Sequence, residues 1–160
     1  MTEPSDIYHW RRLDDRITTS GQPSEEQLAR IASLGVRHVV NLGLHTHERA
    51  LPDEAASLAR LGVEYVHIPV DFDHPTEDDY ARFRDTMTRL EGERVHVHCI
   101  ANLRVSAFLY RWQREAAGRD DVPARSLMDS VWRPGGAWAA MIGDEAARSL
   151  PHRPPEKDGE

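Results

Sequence analysis

The 160-residue chain has one cysteine, Cys99, so no internal disulfide can form and burial and hydrogen bonding must hold the fold. Aromatic residues are sparse at 7%, and no apolar run approaches the ~18 residues of a membrane-spanning helix. Met1-Thr2-Glu3-Pro4-Ser5-Asp6 lacks the basic and apolar stretches of a secretory signal. An excess of positive charge is missing as well. Twenty-seven Asp and Glu against 20 Lys and Arg give −7, which argues against a general nucleic-acid or anionic-membrane binder but permits a local basic pocket. There is no Gly-rich nucleotide loop, no His-Glu-x-x-His signature and no internal repeat. Together with the lone thiol, these absences lead to the expectation of a cytoplasmic protein without cofactor or metal. No feature sets an oligomeric state.

What is present is ordinary for a globular domain: 39% hydrophobic and 29% charged residues, enough chain for one core. A single domain is expected over residues 1–150. The tail 151–160, with three prolines and mixed charge, is expected to lack order. Arg16-Ile17-Thr18-Thr19 reads as a short strand. Ser24, with Gln27 at the capping-box position, starts a helix that ends at Gly35. Val36–Leu42 and Val63–Val70 are β-branched and apolar, as in buried strands. Asp53 opens a second helix and Glu77–Leu90 makes a third, with Tyr80, Phe83, Met87 and Leu90 on one stripe. Ala124–Trp132 and Ala137–Leu150 read as the last two helices. Strands alternating with helices predict a three-layer α/β fold, a mainly parallel sheet of four to five strands flanked by helices. Ligands in such folds bind beyond the carboxyl ends of the strands. The loops there are Gly43–Pro52, Asp71–Pro75 and Cys99–Arg104, all rich in polar and ionisable residues.

The third of these loops concentrates the chemistry. Val95-His96-Val97-His98 alternates like a strand, Cys99-Ile100-Ala101-Asn102 makes a tight turn, and Leu103 onward reads as a helix. Strand, loop and helix N-terminus in that order aim backbone N–H groups and the positive end of a helix dipole at one spot. A thiol at the head of such a loop is expected to be available as thiolate at neutral pH. Arg104 adds a planar fork matched to a tetrahedral oxyanion. Nucleophile, oxyanion cradle and cationic clamp thus lie within six residues.

From about Arg16 to Tyr110, through Ser20-Gly21-Gln22-Pro23, Val39-Val40-Asn41-Leu42, Ile68-Pro69-Val70 and His98-Cys99, the sequence resembles the cysteine-dependent protein tyrosine phosphatases. The likeness is to the small dual-specificity-like and bacterial phosphatase-like members. It implies a phosphatase-like fold, a phosphorylated protein or small-molecule substrate, and two-step phosphoryl transfer through a cysteinyl-phosphate. Cys99 would be the nucleophile, and Arg104 with the backbone of Ile100, Ala101, Asn102 and Leu103 would cradle the phosphate. Asp71 or Asp73 would be the general acid, Ser106 a helping hydroxyl, and His98 a neighbour that orients Cys99. The family's loop places five residues between cysteine and arginine, whereas this chain has four. Asn102 stands where the family has glycine, and asparagine is the best substitute in a left-handed backbone.

Four intervening residues is also the loop length of rhodanese-like sulfurtransferases, which implies an alternative in which Cys99 carries a persulfide. The nine histidines offer another. His96 and His98 alternate on one side of a strand, and His45, His47, His67 and His74 lie on or beside the neighbouring loops. With Asp71 and Asp73 they could build a metal-dependent phosphoesterase. The last alternative is a non-catalytic phosphate-binding module. In the phosphatase reading His45, His47 and Arg49 would line the mouth of the pocket.

Overall fold

The computed structural model describes residues 3–155. Its sheet has five strands: β1 (Arg11–Arg12), β2 (Ile17–Ser20), β3 (His38–Asn41), β4 (Glu64–His67) and β5 (Val95–His98). They lie in the order β1-β2-β5-β3-β4. β1 runs antiparallel to β2, and every other pairing is parallel. The expected mainly parallel α/β sheet is therefore present. The antiparallel edge is an addition, because two arginines carry no strand pattern to read.

Six helices cover the sheet: α1 (Glu25–Ser33), α2 (Glu54–Arg60), α3 (Glu77–Arg89), α4 (Leu103–Glu115), α5 (Asp121–Asp129) and α6 (Gly136–Met141). Alternation along the strands divides the core in two. Val39 packs with Leu28, Ile31 and Leu58 on the α1–α2 side. Val40, Val95 and Val97 pack with Phe83, Phe108 and Trp138 on the other. That parity leaves His96 and His98 for the α1–α2 face, both fully buried. Side chains fix the helix starts. Ser24 and Gln27 form the expected capping box on α1, Asp53 caps α2, and Thr76 with Asp79 makes a second box on α3. Each such cap contributes about 1 kcal/mol.

The C-terminal third departs from expectation. α5 runs from Asp121 to Asp129 instead of Ala124–Trp132. The last helix does not reach Leu150: α6 ends at Met141, Gly143 adopts φ +82, and only a 3-10 turn at Glu145–Ala147 follows. Residues 151–155 of the proline-containing tail are docked, with Arg153 and Arg133 exchanging backbone hydrogen bonds of 3.0 Å. Residues 156–160 lie outside the described residues. Among the described residues no helix is long and apolar enough to cross a membrane.

Candidate active site

The pairing register aligns Ser20, His98, Asn41 and His67 in one row at the carboxyl ends of β2, β5, β3 and β4. Cys99 follows that row directly and is fully buried. Ile100, Ala101 and Asn102 make the turn, and α4 begins at Leu103. Asn102 takes the left-handed conformation, φ +65, the role its place in the loop suggests. Its side chain does not face a ligand. The amide Nδ2 donates to the His9 carbonyl and to Thr19 Oγ1, both at 2.9 Å, and so ties the loop down from behind. The Ile100 carbonyl accepts from Gln22 N at 3.0 Å, and the Ala101 carbonyl accepts from His9 Nδ1 at 2.7 Å. With both carbonyls held on that side, planar trans peptides turn the N–H groups of Ala101 and Asn102 the opposite way. Gly21 is required here: a Cβ on it would stand 2.4 Å from the Ile100 carbonyl oxygen.

On the open side lies a cleft of about 400 Å³. Its walls are Cys99, Ile100, Ala101, Leu103 and Arg104 from the cysteine loop, Asp71–Asp73 from the loop after β4, and Leu44, Thr46 and His47 from the loop after β3. The cleft thus gathers the cysteine, the arginine and both candidate aspartates. Arg104 is 7% exposed; its Nη1 donates to the Val70 carbonyl at 2.8 Å, while its Nε is buried and unpartnered. Its guanidinium lies 5.8 Å from the centre of the Phe72 ring. Asp71 Oδ1 accepts from Asp73 N at 2.9 Å, closing a turn within the acidic loop.

Ser106 is not among the cleft residues. Its hydroxyl donates to the Leu103 carbonyl and accepts from Trp132 Nε1, each at 3.0 Å, which makes it a link between α4 and the segment after α5. A larger hollow, about 590 Å³ beside α4 and α6, contains none of these residues and is edged by charges already paired, such as Arg111 with Glu77 and Glu115.

Beneath the cysteine loop sits a residue that the sequence did not single out. His98 Nδ1 lies 3.0 Å from the Cys99 carbonyl, and His98 Nε2 lies 2.6 Å from Glu54 Oε2. The other Glu54 oxygen accepts from Gln22 Nε2 at 3.0 Å. Burial pushes the Glu54 carboxyl up, but the charge and hydrogen bond of His98, with help from Gln22, bring it below the usual carboxylate value. The only hint in the sequence was an acidic residue in the first turn of α2.

The other histidines are dispersed. His96 is held between Thr18 Oγ1 and Ser20 Oγ, both at 2.8 Å, and burial drives its basicity well down. His45 stacks on His67 with ring centres 3.8 Å apart and meets the Tyr65 hydroxyl at 2.7 Å. Of the three residues expected at the mouth, His47 is there; Arg49 instead sits over the Tyr8 ring. Among the described residues no group of three or more His, Cys, Asp or Glu is placed to hold a metal ion.

The chain is similar to known phosphatases in sequence and in fold. Residues 5–134 match a family model described as a DSP-PTPase phosphatase fused to NAD+ kinase. The Beta-lactamase hydrolase-like protein of Xylella fastidiosa is 31% identical over 118 residues, 70% of this chain. The chain spans only 27% of that relative's length. A DUF442 protein of Shewanella putrefaciens CN-32 superposes with a TM-score of 0.75 at 30% identity, covering 86% of this chain and 91% of its own. Tk-PTP in its active form gives a TM-score of 0.64 at 25% identity, over 79% and 85% of the two chains. A phosphatase family model over most of the described residues and a solved phosphatase-type structure of 30% identity agree on one conclusion: the chain belongs to the cysteine-dependent protein tyrosine phosphatase superfamily, in its dual-specificity-like branch.

Proposed function

We propose that this chain hydrolyses phosphomonoesters, phosphotyrosine or a small phosphoester, through a cysteinyl-phosphate on Cys99, in the reducing compartment that a lone thiol favours. The observation that carries the reading is Arg104: a guanidinium 7% exposed, anchored at one end by the Val70 carbonyl, with a buried unpartnered Nε in the same cleft as Cys99. A buried cation with an unsatisfied donor is costly unless an anion completes it. The Cys99 thiolate attacks phosphorus and the ester oxygen leaves with a proton from an aspartic acid. The resulting carboxylate then takes a proton from water, whose oxygen displaces sulfur and releases phosphate.

Asp71 is the better candidate for the acid. The Val70 carbonyl before it accepts from Arg104 Nη1 at 2.8 Å, and its own carbonyl accepts from His74 N at 3.1 Å. Asp73 is anchored on its N-terminal side, where the Phe72 carbonyl accepts from Trp138 Nε1 at 2.7 Å and its own N–H donates to Asp71 Oδ1. Fixing the backbone on both sides of a carboxyl is how a general acid is kept within reach of its leaving group.

One observation favours the sulfurtransferase reading as runner-up. With four residues between Cys99 and Arg104, the loop offers few N–H donors, and the cleft wall includes apolar Leu44, Phe72, Ile100 and Leu103. A paired assay on metal-stripped protein decides between them, using an aryl phosphate in one arm and thiosulfate with cyanide in the other. The proposal expects phosphate release that disappears in Cys99→Ser while phosphate binding persists. Retained phosphatase turnover in Cys99→Ser, or thiocyanate formation alone, overturns it.

A further inference from the structure

The acidic loop is clamped from the side opposite Arg104 by a segment that the phosphatase chemistry does not use. Phe72, between the two candidate aspartates, packs its ring against Trp132, Trp138 and His152, with centres 5.8, 5.9 and 5.4 Å away. His152 belongs to the docked tail and lies tilted against Trp132, with ring centres 4.8 Å apart. Three backbone features seat that tail. Arg133 and Arg153 exchange hydrogen bonds, Gly136 N donates to the Leu150 carbonyl at 3.1 Å, and Gly135 N donates to His152 Nδ1 at 3.0 Å. The fit leaves no room for a side chain between them: a Cβ on Gly135 would lie 2.2 Å from the Leu150 carbonyl oxygen. Because His152 Nδ1 accepts a bond, it carries no proton, and burial favours that uncharged ring against a smaller opposing pull from Asp73.

We propose that His152 is a positioning residue, the pin of a C-terminal strap that holds Phe72, and with it the Asp71 carboxyl, over the cysteine loop. The proposal rests on the phosphatase reading for its effect on turnover, but the mechanical link stands apart from it. An aromatic edge pinned by a backbone bond resists rotation, so Phe72 is held between the Arg104 guanidinium and the tryptophan pair. Releasing the pin lets the acidic loop sample positions in which Asp71 no longer reaches the leaving oxygen, while Cys99 and Arg104 keep their own anchors.

The test compares His152→Ala with His152→Asn, whose side-chain oxygen can stand in for Nδ1 as acceptor. Hydrogen exchange of the 71–74 amides should speed up about tenfold in His152→Ala, as expected for local opening, and return toward wild type in His152→Asn. In turnover, kcat/KM for phenyl phosphate should fall about tenfold in His152→Ala, a fraction of what a general acid contributes. Dinitrophenyl phosphate, whose leaving group needs no proton, should change less than about twofold. Equal losses on both esters, or unchanged exchange in the acidic loop, would overturn the assignment. If the wild-type chain releases no phosphate at all, the phosphatase reading fails, and the exchange comparison alone still decides whether His152 pins the loop.

Discussion

Glu54→Gln probes the pair beneath the nucleophile. Both nitrogens of the His98 ring face acceptors, the Cys99 carbonyl and the Glu54 carboxylate, at 3.0 and 2.6 Å. Satisfying both requires one proton more than a neutral ring beside a carboxylate holds. The pair shares that proton, and the Glu54 carboxyl is held below its usual value by the charge and hydrogen bond of His98. Glutamine keeps the shape. A neutral His98 can still donate from Nδ1 to the Cys99 carbonyl and accept at Nε2 from the new amide, but the carboxylate's charge is lost. The side chains are 0% and 2% exposed, so solvent screening does not discount the exchange. The loss is about 2 kcal/mol at pH 7, the middle of the range for a buried charged hydrogen bond. With a urea slope of about 2 kcal/mol per molar, the unfolding midpoint drops by about 1 M. The sign with pH follows from the depressed carboxyl. Its contribution is full above the unfolded carboxylate value of about 4.3 and is lost as pH falls through the lower folded value. Wild type should therefore lose stability toward Glu54→Gln on acidification, and the gap between them should close. A Glu54→Gln protein with the wild-type urea midpoint at pH 7 would refute the coupling of Glu54 to His98.

Two further substitutions separate roles within the site. Asp71→Asn should lower kcat on phenyl phosphate by about 10²–10⁴, the span of general acid catalysis, while Asp73→Asn should stay within severalfold; the reverse order would assign the acid to Asp73. Ser106→Ala should leave kcat nearly unchanged but destabilise the fold by about 1–3 kcal/mol, because Trp132 Nε1 loses its buried acceptor. Thermal melting beside steady-state kinetics checks this, and a large fall in kcat with an unchanged melting point would return the hydroxyl to catalysis.

The sequence made the central strand, cysteine turn and following helix legible because three local signals coincide there. Val95 and Val97 alternate with two histidines, Asn102 supplies a left-handed residue, and an apolar stripe follows. The same locality explains the omissions. Glu54 meets His98 across 44 residues, and nothing in the first turn of α2 distinguishes it from a solvated helix-start acid. Prolines in the tail signal only that regular structure stops. That Gly135 leaves a groove for Leu150 and Pro151 is a three-dimensional fact. Apolar periodicity carried the last helix past Met141, where Gly143 in a left-handed conformation ends it. Ser106 occupies the expected helix position, but the partner that claims its hydroxyl, Trp132, is set by how the chain packs after α5.

The turn that holds Cys99 is fastened to a residue far from it in sequence: His9 Nδ1 meets the Ala101 carbonyl across 92 residues, and Asn102 reaches the His9 carbonyl across 93. Bringing such distant points together costs about 4 kcal/mol of loop-closure entropy, which must be met before these bonds form. The segment around His9 therefore finds its place only once Ala101 and Asn102 are available to it, and the turn that holds the thiol is not finished until then. The finished site thus depends on contacts of long sequence separation, the kind whose closure slows folding.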